Sequence, residues 1–113
     1  MLKRISSMIV YHITPTSNIP SILIYGIDPQ YSNGKDERSW YVAKHKIDWA
    51  LVHISMTYDL PVGELSVCCC HVDSKDLTMF MEPGRYFSRS VIFPESTYPM
   101  IGAVSFLGDE ENE

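Results

Sequence analysis

The run Tyr11-His12-Ile13-Thr14 ends an apolar, largely β-branched segment with an imidazole, the side chain best suited to acid–base or ligand chemistry near neutrality. Alone, His12 reads as an ordinary half-buried strand histidine, because one imidazole defines no reaction. Three cysteines stand in direct succession at Cys68 to Cys70. Neighbouring strand residues point to opposite faces, so these thiols suit neither a CxxC-type metal site nor a relaxed disulfide. Cys68 and Cys70 are expected on one face and Cys69 on the other, all as small hydrophobes. No metal is expected, and His71 beside them does not by itself complete a ligand set. Lys35 and Arg38 flank Asp36 and Glu37 in a polar loop, and Arg85 and Arg89 alternate along one strand face. Alone, both sets read as solvated surface charge. The sequence has no Walker-type loop, HExxH, GxSxG or GxGxxG.

The elements that must position these groups are legible in the spacing. Met8 to Pro29 predicts a buried strand, a polar turn, a short helix and a glycine stop. Thr16, Ser17 or Asn18 can cap the helix, Pro20 suits its first turn, and Ile19, Ile22 and Leu23 form its apolar face. Gly26 ends it, where a left-handed residue is usual. Gln30 to Ser39, with Asn33-Gly34 at its centre, is a loop. Trp40 to Ala43 predicts a short buried strand, with Trp40 as a core aromatic. Ile47 to Tyr58 predicts an amphipathic helix whose Ile47, Ala50, Leu51, Ile54 and Tyr58 share a face. Asp48 suits its first turn, and His53 lies beside the apolar face as a structural residue. Leu65 to Val72 is an almost unbroken apolar run, as for a strand covered on both faces. Leu77 to Met81 predicts a short strand or a segment lining the site. A Pro83-Gly84 turn leads into a strand at Arg85 to Arg89, Pro94 ends the next segment, and Tyr98 to Leu107 predicts a closing strand with Gly102 as a bulge.

The chain has 113 residues, 45% apolar and 20% charged, values of a single globular domain. Its net charge is −5, but the tail at 108–113 holds Asp109, Glu110, Glu111 and Glu113. The body is close to neutral, which argues against broad electrostatic binding of nucleic acid and leaves room for a local basic patch. No apolar run is long enough for a membrane span, and the one after the basic N-terminus is too short for a signal peptide, so a cytoplasmic protein is expected.

Three blocks together resemble the ADP-ribosyltransferase fold. The first is Tyr11-His12-Ile13-Thr14, Asn18-Ile19-Pro20-Ser21-Ile22-Leu23 and Gly26-Ile27; the second is Trp40 to Ala43 with the following helix; the third is the strand from Arg85 with Phe93-Pro94-Glu95. The chain is most similar to DNA-modifying ADP-ribosyltransferase toxins and a group of small uncharacterised relatives, and more distantly to RNA 2′-phosphotransferases. The resemblance spans Met8 to Glu95. It implies an α+β fold with a split or two-sheet β core and two helices, a single domain over 1–107 before the acidic tail at 108–113. It implies NAD as substrate and a macromolecular acceptor, a nucleobase or a protein side chain. His12 and Thr14 would bind NAD, Tyr41 would stack on the nicotinamide, and Ser32, Lys35 or Arg38 would contact ribose or pyrophosphate. The family's acid at the start of the third-block strand is replaced here by Arg85 or Tyr86. Glu82, just ahead, and Glu95, in the turn, are the remaining candidate acids. By likeness to the phosphotransferases, Arg85 and Arg89 with Lys35 and Arg38 would instead hold a substrate phosphate. A third reading is a non-catalytic binding or inhibitor module on the same fold.

Overall fold

The computed structural model describes residues 7–31 and 36–101. Ser32, Lys35, the end of the expected last strand, the tail and the boundary at 107 lie outside the described residues. The elements are β1 (Ser7–Pro15), α1 (Ile19–Tyr25), β2 (Ser39–Val42), α2 (Ile47–Tyr58), β3 (Leu65–Asp73), β4 (Thr78–Phe80), β5 (Glu82–Ser88) and β6 (Ser96–Pro99). The six strands form one antiparallel sheet in the order β4-β5-β2-β1-β3-β6. The α+β expectation holds, and the β core is one sheet rather than two.

Alternation sorts β1 and β3 onto two faces. Val10, Tyr41, Cys68, Cys70 and Val72 pack with Ile22 of α1 on one face. Ile13, Val42, Leu65 and Val67 pack with Ile47, Ala50 and Leu51 of α2 on the other. Each helix therefore covers its own side. β3 is buried along most of its length and paired on both edges, as its apolar run requires. Cys68 and Cys70 are free thiols, and burial pushes Cys68 up to about 12 and raises Cys70 as well, so both act as core hydrophobes.

Several local expectations change. α1 is seven residues long, and Ile22 with half-buried Ile19 makes its contact, leaving Leu23 58% exposed. The turn side chains do not cap it: Asn18 Nδ2 donates to Thr14 Oγ1 at 2.9 Å, and Thr16 Oγ1 bonds Ser66 Oγ at 2.8 Å. They tie the turn to the sheet instead. Gly26 has φ 81 and ψ 176, an extended positive-φ conformation rather than the left-handed helical one. α2 keeps the expected bounds, with Asp48 in its first turn, but Tyr58 is exposed at its end. Pro83 and Gly84 lie inside β5, and the chain reverses instead at Met81, φ 68. Met79, on the edge strand β4, and Met81, at the reversal that follows it, are exposed. Among the described residues no helix is long and apolar enough to cross a membrane.

Candidate functional site

The sheet is narrowest at its centre. β1 and β3 pair along nine residues, from Ser7↔Asp73 to Pro15↔Leu65, and β2 and β5 pair along four. β1 and β2 meet at a single register position, Tyr11↔Val42. Residues 12–14 of β1 and 39–41 of β2 lie beyond that point and line a cavity of about 890 Å³, between α1 and α2. That volume falls in the range of ordinary small-ligand sites.

His12 sits where the pairing stops. Its Nδ1–H donates to the Trp40 carbonyl at 2.8 Å, so one side chain spans the gap that backbone pairing leaves. A carbonyl only accepts, which assigns the proton to Nδ1 and leaves Nε2 as an acceptor while the ring is neutral. Burial lowers the His12 pKa, against a smaller upward pull from the Trp40 carbonyl. The ring is therefore neutral around pH 7. Thr14 follows on the same face, buried and on the cavity wall; its Oγ1 accepts from Asn18, and its own O–H stays available to donate.

Arginines and aromatics also line the cavity. Arg38 donates Nε to Asp36 Oδ2 at 2.7 Å, with Nη2 on the same oxygen, and this pair lowers the Asp36 pKa. The Arg38 guanidinium lies 4.7 Å from the Trp40 ring centre. Trp40 packs edge-on to Phe80 at 5.0 Å. Arg85 lies 4.6 Å from the Trp49 ring and 5.4 Å from Phe80.

The cavity thus gathers His12, Thr14, Arg38, Tyr41 and Arg85 of the expected site residues. It does not gather the two glutamates. Glu82 pairs with Lys46, a contact that lowers its pKa, and Glu95 pairs with His71; neither lines the cavity. Arg89 also lies apart, donating Nη1 to the Asp36 carbonyl at 3.0 Å beside a smaller recess. The two aromatics of β2 are buried in the reverse of the expected order. Tyr41 is 1% exposed, with its ring tilted against His12 at 5.4 Å, whereas Trp40 is 37% exposed. The reason is register: Tyr41 falls on the α1 face with Val10, and Trp40 falls on the opposite face, where α2 leaves it half open.

Trp49, His53 and Asp28 also line the cavity and were not legible as site residues, whereas Phe80 falls in the 77–81 segment expected as a strand or as a lining of the site. Trp49 and His53 stack at 5.1 Å with rings 11° apart. Their i, i+4 spacing on a helix was the available signal. Asp28 is the one acidic side chain on the wall among the described residues, and its Oδ1 accepts from the Gln30 N–H at 3.0 Å. Among the described residues no group of three or more His, Cys, Asp or Glu side chains is arranged to hold a metal ion. Compared with family models, with curated proteins and with solved structures, the chain matches none.

Proposed function

We propose that the cavity binds NAD and that the protein is an ADP-ribosyltransferase-like protein acting on a macromolecular acceptor. The observation that carries this reading is the opening between β1 and β2. There a neutral His12, with Nε2 left as an acceptor, and the Thr14 hydroxyl line the same cavity as Arg38 and Arg85. Nε2 and the hydroxyl suit ribose hydroxyls or an amide, and the guanidinium groups suit a pyrophosphate. Trp40, rather than Tyr41, has ring surface open to a nicotinamide. Transfer breaks the bond between nicotinamide and ribose, and positive charge develops on the sugar. A carboxylate within reach would stabilise it, and Asp28 is the acid that lines the cavity among the described residues.

A second reading, a phosphate-handling enzyme of the same fold, draws support from Glu82 and Glu95. Both acids are engaged away from the cavity, while two arginines line it. Calorimetric titration with NAD, with nicotinamide release measured in the same sample, separates the readings. The transferase reading expects binding with release, and His12→Ala should weaken binding without lowering thermal stability to match. Binding without release means a protein that senses or sequesters the nucleotide. Absence of binding removes the NAD reading and favours the phosphate-handling one.

A further inference from the structure

We propose that Trp49 is a positioning residue that holds Arg85 as the cavity's open receptor for a phosphate or pyrophosphate group. The three arginines among the described residues differ in how their donors are used. Arg38 spends Nε and Nη2 on the Asp36 carboxylate. Arg89 spends Nη1 on the Asp36 carbonyl and lies beside the smaller recess. Arg85 lines the main cavity, and its side chain makes no hydrogen bond to any described residue. The carboxylate that feels its charge, Glu82, is held by Lys46, and Arg85 is a lesser influence on it.

What fixes Arg85 is aromatic. Its guanidinium lies over Trp49 at 4.6 Å and near Phe80 at 5.4 Å. Trp49 is in turn stacked on His53 one helical turn further along α2. A cation held against a ring face keeps all its N–H donors, whereas a carboxylate partner would consume them and cancel the charge. The stack also removes rotamer freedom before a ligand arrives, so less is lost on binding. A guanidinium that is half-buried, ring-bound and without a carboxylate partner among the described residues is arranged, on a cavity wall, for a planar, bidentate anion contact. The inference rests on reading the cavity as a nucleotide site, and it names the group that the anionic part of the ligand meets.

The test is calorimetric titration of the full chain with inorganic pyrophosphate and, separately, with NAD. Wild type should bind pyrophosphate, and Arg85→Gln should abolish binding. Trp49→Leu, which keeps apolar bulk without a π face, should weaken binding about tenfold, and Trp49→Phe should restore most of it. Arg85→Lys keeps the charge, loses the plane and should fall between. Thermal melts of the two Trp49 variants should coincide, because the ring is 42% exposed. Equal pyrophosphate affinity in Trp49→Leu and Trp49→Phe overturns the positioning role. Wild-type failure to bind pyrophosphate at millimolar concentration, or unchanged binding in Arg85→Gln, overturns the receptor. Pyrophosphate binding without NAD binding keeps the receptor and removes the NAD reading. NAD binding that ignores both residues removes the receptor and keeps that reading.

Discussion

His12 links the site to the stability of the fold. Its folded pKa lies below the ordinary 6.5, because burial penalises the charged ring. Between that lowered value and 6.5, the unfolded chain binds a proton that the folded chain does not. The stability this residue contributes is therefore complete above its unfolded pKa and is lost as pH falls through the folded one. In thermal melts across this window, wild type should lose Tm on acidification more steeply than His12→Gln; parallel curves would sink the assignment of a neutral, buried ring. Tyr41 makes the opposite kind of contribution. Its hydroxyl is buried without a hydrogen-bond partner among the described residues, and burial raises its pKa far out of range. An unsatisfied buried hydroxyl costs about 1–3 kcal/mol. Tyr41→Phe should accordingly leave stability unchanged or raise it by about 1 kcal/mol in urea unfolding. A clear loss of stability would mean that the hydroxyl has a partner.

At the scale of elements, the junction after α1 holds the α1 face together. Gly26 N–H donates to the Ile22 carbonyl at 2.8 Å and closes the helix. Ile27 then forms a bridge with Ile92, by bonds of 2.7 and 3.2 Å. A Cβ at Gly26 would come 2.7 Å from Val91 Cγ1, and its φ of +81 already disfavours an L side chain. Gly26→Ala should destabilise the protein by about 1–3 kcal/mol, read from denaturant unfolding. Wild-type stability would mean that the bridge can shift to make room. β5 has a related constraint at Gly84, where an added Cβ would meet the His45 ring at 2.9 Å. There the glycine lets Ala43 N–H reach the Gly84 carbonyl at 2.9 Å, which fixes the start of the α2 connection against β5.

At the scale of the whole molecule, the sheet behaves as two ribbons, β4-β5-β2 and β1-β3-β6, joined at Tyr11↔Val42 and by the His12 side chain. Uneven pairing implies uneven local stability. In hydrogen exchange, amides of the nine-residue β1–β3 ladder should be the slowest, and amides of β2 that face β1 should be faster. A ligand bridging the cavity should slow the second group more than the first. Uniform protection across β1 and β2 without ligand would contradict the two-ribbon description.

Local periodicity carried much of this protein. The strand–turn–helix–glycine order of the first block, the bounds of α2, and the facing of Cys68 and Cys70 against Cys69 follow from repeats of 3.6 and 2 with their turn residues. His12, Thr14, Arg38 and Arg85 were legible as site candidates, and the fold brings them to one cavity. Tertiary structure decided what depends on register between distant strands, because a shift of one residue exchanges the faces of a strand. Pairing of β2 with β1 and β5 put Tyr41 in the core and Trp40 at the surface. Long-range side-chain contacts hold Glu82 at Lys46 and Glu95 at His71, away from the cavity. The stack of Arg85 on Trp49 joins β5 to α2 across 36 residues, a contact that no local spacing encodes.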